Sequence, residues 1–207
     1  YKVSESAADP GLSFDHLFPG DRGHMFGVME CVDRRGNPVV LRAFSSLRGG
    51  IRSIDGWVPP IHSDEMWENV VLPTQAKIKA FTQIMKREKP QSPAYTKLFE
   101  ARKKISRELV SQVQEQLLLT NFRGEKRHLK DAHHRPNGIP GGVGDCCGPK
   151  LLNHAALNDL KPLGLSEFHW GESTPNGSKV HGRFYPCCQE KCQSILGFML
   201  CGIDELF

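Results

Sequence analysis

Two short cysteine clusters constrain this chain more than any other feature: Asp145-Cys-Cys-Gly-Pro149 and Pro186-Cys-Cys-Gln-Glu-Lys-Cys192. Each opens a segment whose apolar spacing predicts a helix, over Pro149 to Leu157 and from Cys187 to about Cys201. A helix start points free N–H groups and partial positive charge outward, which favours the thiolate form. Thiolates are the form that zinc binds. Cys188 and Cys192 are four apart and share one face of a helix, whereas Cys187 and Cys192, five apart, do not. A strand predicted over Leu163 to Trp170 lies between the two helices. It would set both helix starts at one sheet edge, with Cys146, Cys188 and Cys192 as a three-thiolate zinc site. Water, His181 or His169 would supply the fourth ligand. Cysteine is also among the most buried residue types, so Cys147, Cys187 and Cys201 read equally as core.

The chain has 207 residues and seven cysteines, an odd number, six of them in the last third. A secreted disulfide scaffold is usually smaller, with its cysteines more evenly spread. Reduced thiols with a metal site fit better and imply a reducing intracellular compartment. With 39% hydrophobic and 24% charged residues, a packed core is expected and bulk disorder is not. No apolar run approaches the roughly 18 to 20 residues that a membrane span needs. The chain starts at Tyr1; removal of a plastid or mitochondrial transit peptide would leave such a start, and so would other causes.

Residues 1–23 read as an irregular arm and 24–207 as one domain. Met25 to Val32 and Pro38 to Phe44 are β-rich runs around a turn with Gly36 and Asn37, a hairpin signal. Few of their positions are polar, as in a layered α/β domain with both sheet faces covered. Residues 45–73 are rich in Gly, Pro and Ser and read as a loop anchored by Trp57 and Trp67. Helices are expected over Lys77 to Arg87 and from Thr96, as N-cap, to about Leu119. Leu98, Ile105, Leu109, Val113 and Leu117 form the apolar stripe of the second. Residues 121–144 are polar and Gly/Pro-rich and read as irregular.

Hairpin, helix with a metal-ligand start, strand, then a Pro-Cys helix start is an order that resembles the cytidine-deaminase-like fold. That resemblance implies a three-layer α/β core, here with a helical basic insertion at about 74–130. Asp145-Cys-Cys-Gly-Pro-Lys-Leu-Leu152 is similar to a metal-ligand motif of bacterial toxin deaminases. Gly148 stands where that family has its proton-shuttling Glu, and the second cysteine motif is one residue longer. A longer set of motifs resembles the N-terminal accessory domain of bacterial RluA-type pseudouridine synthases. It comprises His24-Met-Phe-Gly-Val28, Arg102 to Leu109, Leu119 to Glu125, Gly144 to Leu152, Ser166 to Gly171 and His181 to Cys192. The accessory domain likewise lacks the deaminase Glu, and the Arg-Leu-Asp motif of the synthase domain is absent from this sequence. The resemblance implies a stand-alone version of the accessory domain, kept in the company of RNA modification.

Residues 77–130 hold fourteen Lys or Arg against five Asp or Glu, a local charge of +9 in a chain of +4. Lys97, Arg102, Lys103, Lys104 and Arg107 crowd the long helix, and Arg123, Lys126 and Arg127 follow it. A solvated helix face and a phosphate-binding patch are the two readings. The leading functional expectation is a zinc-binding, deaminase-like module that binds RNA or a ribonucleoprotein and has lost base chemistry. A second is an active zinc-dependent deaminase or hydrolase with Glu167, then Asp145, as acid–base group. A third is a subunit scaffolding a larger, organellar complex. The favoured reading of Glu167 itself is the partner of a ligating His or half of a buried ion pair.

Overall fold

The computed structural model describes residues 23–47, 50–135 and 138–207; the expected arm at 1–23 lies, but for Gly23, outside them. The chain is mixed α/β and divides into two compact units. The first comprises residues 1–60, 120–125 and 142–207, the second residues 61–119 and 126–141.

The first unit is built on an antiparallel sheet of order β2-β1-β5, from β1 (His24–Val32), β2 (Pro38–Phe44) and β5 (Lys161–Trp170). The hairpin forms as its sequence suggests. Asp33 Oδ1 accepts the N–H groups of Arg35 and Asn37, both at 2.8 Å, and Gly36 takes the positive φ of 81° that the turn needs. The register pairs Met25 with His169, Gly27 with Glu167 and Met29 with Leu165. Alternation along a strand therefore puts these six residues on one face. Helix α5 (Cys147–Leu157) packs on the sheet. A Cβ at Gly27 would lie 2.5 Å from Cys147 Cβ, so the missing side chain is what lets the start of α5 seat against β1. Aromatic side chains gather with Phe26: Trp57 at 6.0 Å and Phe168 at 5.9 Å between ring centroids. Helix α6 (Gln193–Met199) packs beside α5 and buries Ile195, Phe198 and Met199.

The second unit is helical. Its first helix begins at Asp64, inside the loop predicted at 45–73. Ser63 Oγ caps it by accepting the Met66 N–H at 3.1 Å. Three stretches follow in line: α1 (Asp64–Met66), a π-helical turn (Trp67–Val71) and α2 (Leu72–Met85). Pro73 explains both the misreading and the π turn. A proline inside a helix lacks an N–H and crowds the preceding turn, and one wider turn relieves that crowding. Trp67 is thus an anchor within a helix, packed like Val70, Ile78 and Val113 against the buried cluster of Met66, Val71 and Leu109. Helix α3 (Pro93–Gln116) starts earlier than expected because Ser92, not Thr96, is its cap: Ser92 Oγ accepts the Tyr95 N–H at 3.1 Å, with Pro93 opening the first turn. The polar stretch after it holds a small hairpin, β3 (Leu118–Thr120) with β4 (Lys126–His128), and the short α4 (Leu129–Ala132). Among the described residues no helix is long and apolar enough to cross a membrane.

Candidate metal centre

Cys146 is the N-cap of α5, with extended backbone, so its side chain stands just ahead of the helix. The second cysteine cluster is not helical as expected. Residues 187–192 form a loop and turn, and α6 begins only at Gln193, with Cys192 at its N-cap. The turn is closed by the Gln193 N–H on the Cys188 carbonyl at 3.2 Å, and by the Cys192 N–H on Cys188 Sγ at 3.3 Å. Cys188 and Cys192 therefore converge through a turn, not through a shared helix face.

The result is a group of three sulfurs, Cys146, Cys188 and Cys192, all within 4.8 Å of one another. Cys146 Sγ and Cys188 Sγ are 3.8 Å apart. A tetrahedral ion with metal–sulfur bonds of ~2.3 Å has sulfur–sulfur edges of about 3.8 Å, so the spacing fits one. It is far too long for a disulfide, and all seven cysteines are free thiols. The Gly144 N–H also donates to the Cys192 sulfur. With hydrogen bonds from the Cys146 and Cys187 thiols, Cys192 is pushed down to about 3. Cys146 and Cys187 are pushed up because each holds its proton toward Cys192 and because burial disfavours their charged forms. The cluster thus carries its first negative charge readily, as a cation-binding set of thiols requires.

The other cysteines do different work. Cys31 is buried in β1, and burial alone raises it to about 11. Cys147 is buried and donates to the Met25 carbonyl at 3.4 Å. Cys201 donates to the Gly197 carbonyl at 3.2 Å. Cys187 borders the group without joining it, a position that the helical reading of residues 187–201 did not give.

His181 stands outside the sulfur group. Its Nδ1 accepts the Gly171 N–H at 3.1 Å, and its ring lies 4.4 Å from that of Trp170. His169 is buried at 2% exposure, and its Nε2 donates to the Glu172 carbonyl at 2.9 Å. Neither histidine is brought to the cysteines.

Glu167 is. It faces the first turn of α5, and its Oε1 accepts the Gly148 N–H at 2.9 Å. Burial raises its carboxyl above the usual range, opposed by that hydrogen bond. A Cβ at Gly148 would lie 3.8 Å from Glu167 Oε1 and 3.9 Å from Cys187 Sγ. The carboxylate of β5 therefore reaches the space beside position 148. A cavity of about 270 Å³ adjoins Cys146, Cys188 and Glu167, with Asp145, Lys179 and Lys191 also in its wall.

No family model, curated protein or solved structure gives a significant match to the chain.

The basic candidates divide between the units. Lys97, Arg102, Lys103, Lys104 and Arg107 lie on α3 and Lys126 and Arg127 on β4, all in the helical unit. A groove of about 430 Å³ along α3 is lined by Phe99, Arg102, Lys103, Arg107 and Val110, with Ile78 of α2. Arg102 and Lys103 both sit over the Phe99 ring, at 5.5 and 5.7 Å. Lys103 and Lys104 reach Glu100 and Glu108 at 3.7 and 3.9 Å, exposed pairs of little energetic weight. Arg123 belongs to the other unit and is engaged: its guanidinium pairs with the Glu205 carboxylate, which holds Arg123 above and Glu205 below their usual ranges.

Proposed function

We propose that this chain is a zinc-binding, deaminase-like module that engages RNA or a ribonucleoprotein through its helical unit. The observation that carries the reading is the convergence of Cys146, Cys188 and Cys192 from two separate segments, all three sulfurs within 4.8 Å of one another and one pair at 3.8 Å. Zinc is the ion that such a set of thiols favours, being content with sulfur and with four-fold geometry. When bound, it would act as a Lewis acid and as a clamp between α5 and the 188–192 turn.

The order of hairpin, α5, β5 and cysteine turn supports a deaminase-like scaffold, and the motifs shared with the pseudouridine synthase accessory domain support that kinship. RNA rests on the +9 segment and on the cationic groove of α3. Two measurements test the proposal. Metal analysis of protein purified without added zinc is expected to give close to one equivalent per chain. Binding of a single-stranded RNA is expected to weaken steeply between 50 and 200 mM salt. Metal-free protein at native stability would sink the first half, and salt-independent affinity the second.

A further inference from the structure

Glu167 is the only carboxylate buried among the described residues, at 6% exposure. One of its oxygens is satisfied by the Gly148 N–H. The other, Oε2, accepts no hydrogen bond from any described residue, yet it is not sealed from solvent and the side chain lines the cavity beside Cys146 and Cys188. A side chain buried this far, with one carboxylate oxygen still open to whatever enters the cavity, is placed to take a donor from a bound molecule. The same cavity adjoins a tetrahedral ion's worth of sulfurs that lacks one ligand. Among the described residues, three donors lie within mutual reach, and both histidines point elsewhere.

Size and charge narrow what can enter. About 270 Å³ falls just below the range of drug-sized sites, so the occupant is small. A divalent ion on three thiolates carries a net negative charge. Around it Asp145 and Glu167 offset Lys179 and Lys191. An anion gains nothing in such a cavity, and a neutral molecule loses nothing.

We infer that this cavity binds a small neutral ligand that offers a lone pair to the metal ion and an O–H or N–H to Glu167 Oε2. The inference rests on the metal-centre reading, and its test separates the two. The protein is loaded with Co(II), whose sulfur-to-cobalt charge-transfer absorption counts thiolates and whose ligand-field bands report a new ligand. Acetamide, whose carbonyl oxygen offers the lone pair and whose N–H the donor, is the neutral protic probe and azide the anionic control. Acetamide is expected to shift the ligand-field bands saturably, and azide to bind more weakly. Glu167→Gln, which keeps an oxygen for the Gly148 N–H, is expected to weaken the probe at least tenfold while leaving the charge-transfer intensity unchanged. Should that variant fail to fold, Glu167→Asp, which draws the carboxylate back by one methylene, is expected to weaken the probe likewise. Equal probe affinity in these variants, azide binding as tight as acetamide, or the intensity of four thiolates in ligand-free protein would each overturn the inference. Cobalt held by three thiolates with no response to the probe sinks the ligand site alone. Failure to take up cobalt sinks the metal centre and the ligand site together.

Discussion

Single atoms decide the chemistry of the cysteine cluster. Cys146, Cys188 and Cys192 lie within one ion's reach, whereas Cys31 lies in the packed interior of β1. Serine at any of the first three is expected to abolish stoichiometric metal binding and to lower the melting temperature sharply. Serine at Cys31 is expected to cost ~1 to 3 kcal/mol as a core change with the metal retained. Metal analysis beside a melting curve checks both. Position 148 is the second residue-scale question. Gly148 offers no side chain, and loss of a general acid–base group costs about 10²- to 10⁴-fold. We expect no deamination of cytidine or adenosine above a metal-stripped control. Wild-type activity that vanishes in Glu167→Gln would reverse that expectation and make Glu167 the acid–base group. A Cβ at 148 meets only ordinary contacts, but the carboxylate of G148E would crowd that of Glu167. The grouping of Cys146, Cys188 and Cys192 was legible because paired, reactive residue types at short spacings are a local sequence signal. The place of Cys187 and the failure of His181 to join were not, because both depend on a turn at 187–192 that the spacing disguised as a helix.

Among the elements, α3 carries the most separable roles. Its buried stripe meets Met66 and Val71 through Leu109, while Lys103, Lys104 and Arg107 are not part of that packing. Glutamate at all three together is expected to weaken RNA binding and reduce its salt dependence while helicity by circular dichroism stays unchanged. Unaltered affinity would remove α3 from the interface. Ser92→Ala deletes a cap and is expected to destabilise the helical unit by about 1 kcal/mol, read as a lowered midpoint in denaturant. The hairpin and β5 were readable because alternation and turn residues are local signals. The helix from Asp64 was hidden because Pro73, a reliable breaker in isolation, is absorbed by a π turn that the packing of Trp67 and Val70 helps to hold. The late start of α6 was hidden for the opposite reason, since the cysteine spacing imitates a helical period.

Across the whole molecule, the candidate metal centre lies in one unit and the dense positive charge mostly in the other. An ion that binds only the folded state stabilises the unit that holds it, in proportion to its affinity and concentration. Calorimetry is therefore expected to show one transition that falls on addition of a strong chelator and another that does not move. A single transition that shifts as a whole would mean that the two units unfold as one. The interleaving of the units also sets an order of events at the ribosome. The helical unit is complete in sequence by residue 141, and the sheet unit must wait for its third stretch. Translation at about 5 to 20 residues per second puts Cys192 roughly 2 to 9 seconds behind Cys146. Until Cys188 and Cys192 are made, Cys146 lacks both of its partners in the sulfur group. Metallation thus waits for the 188–192 turn, and nascent chains halted before Cys188 should carry a folded, cationic helical unit and no metal.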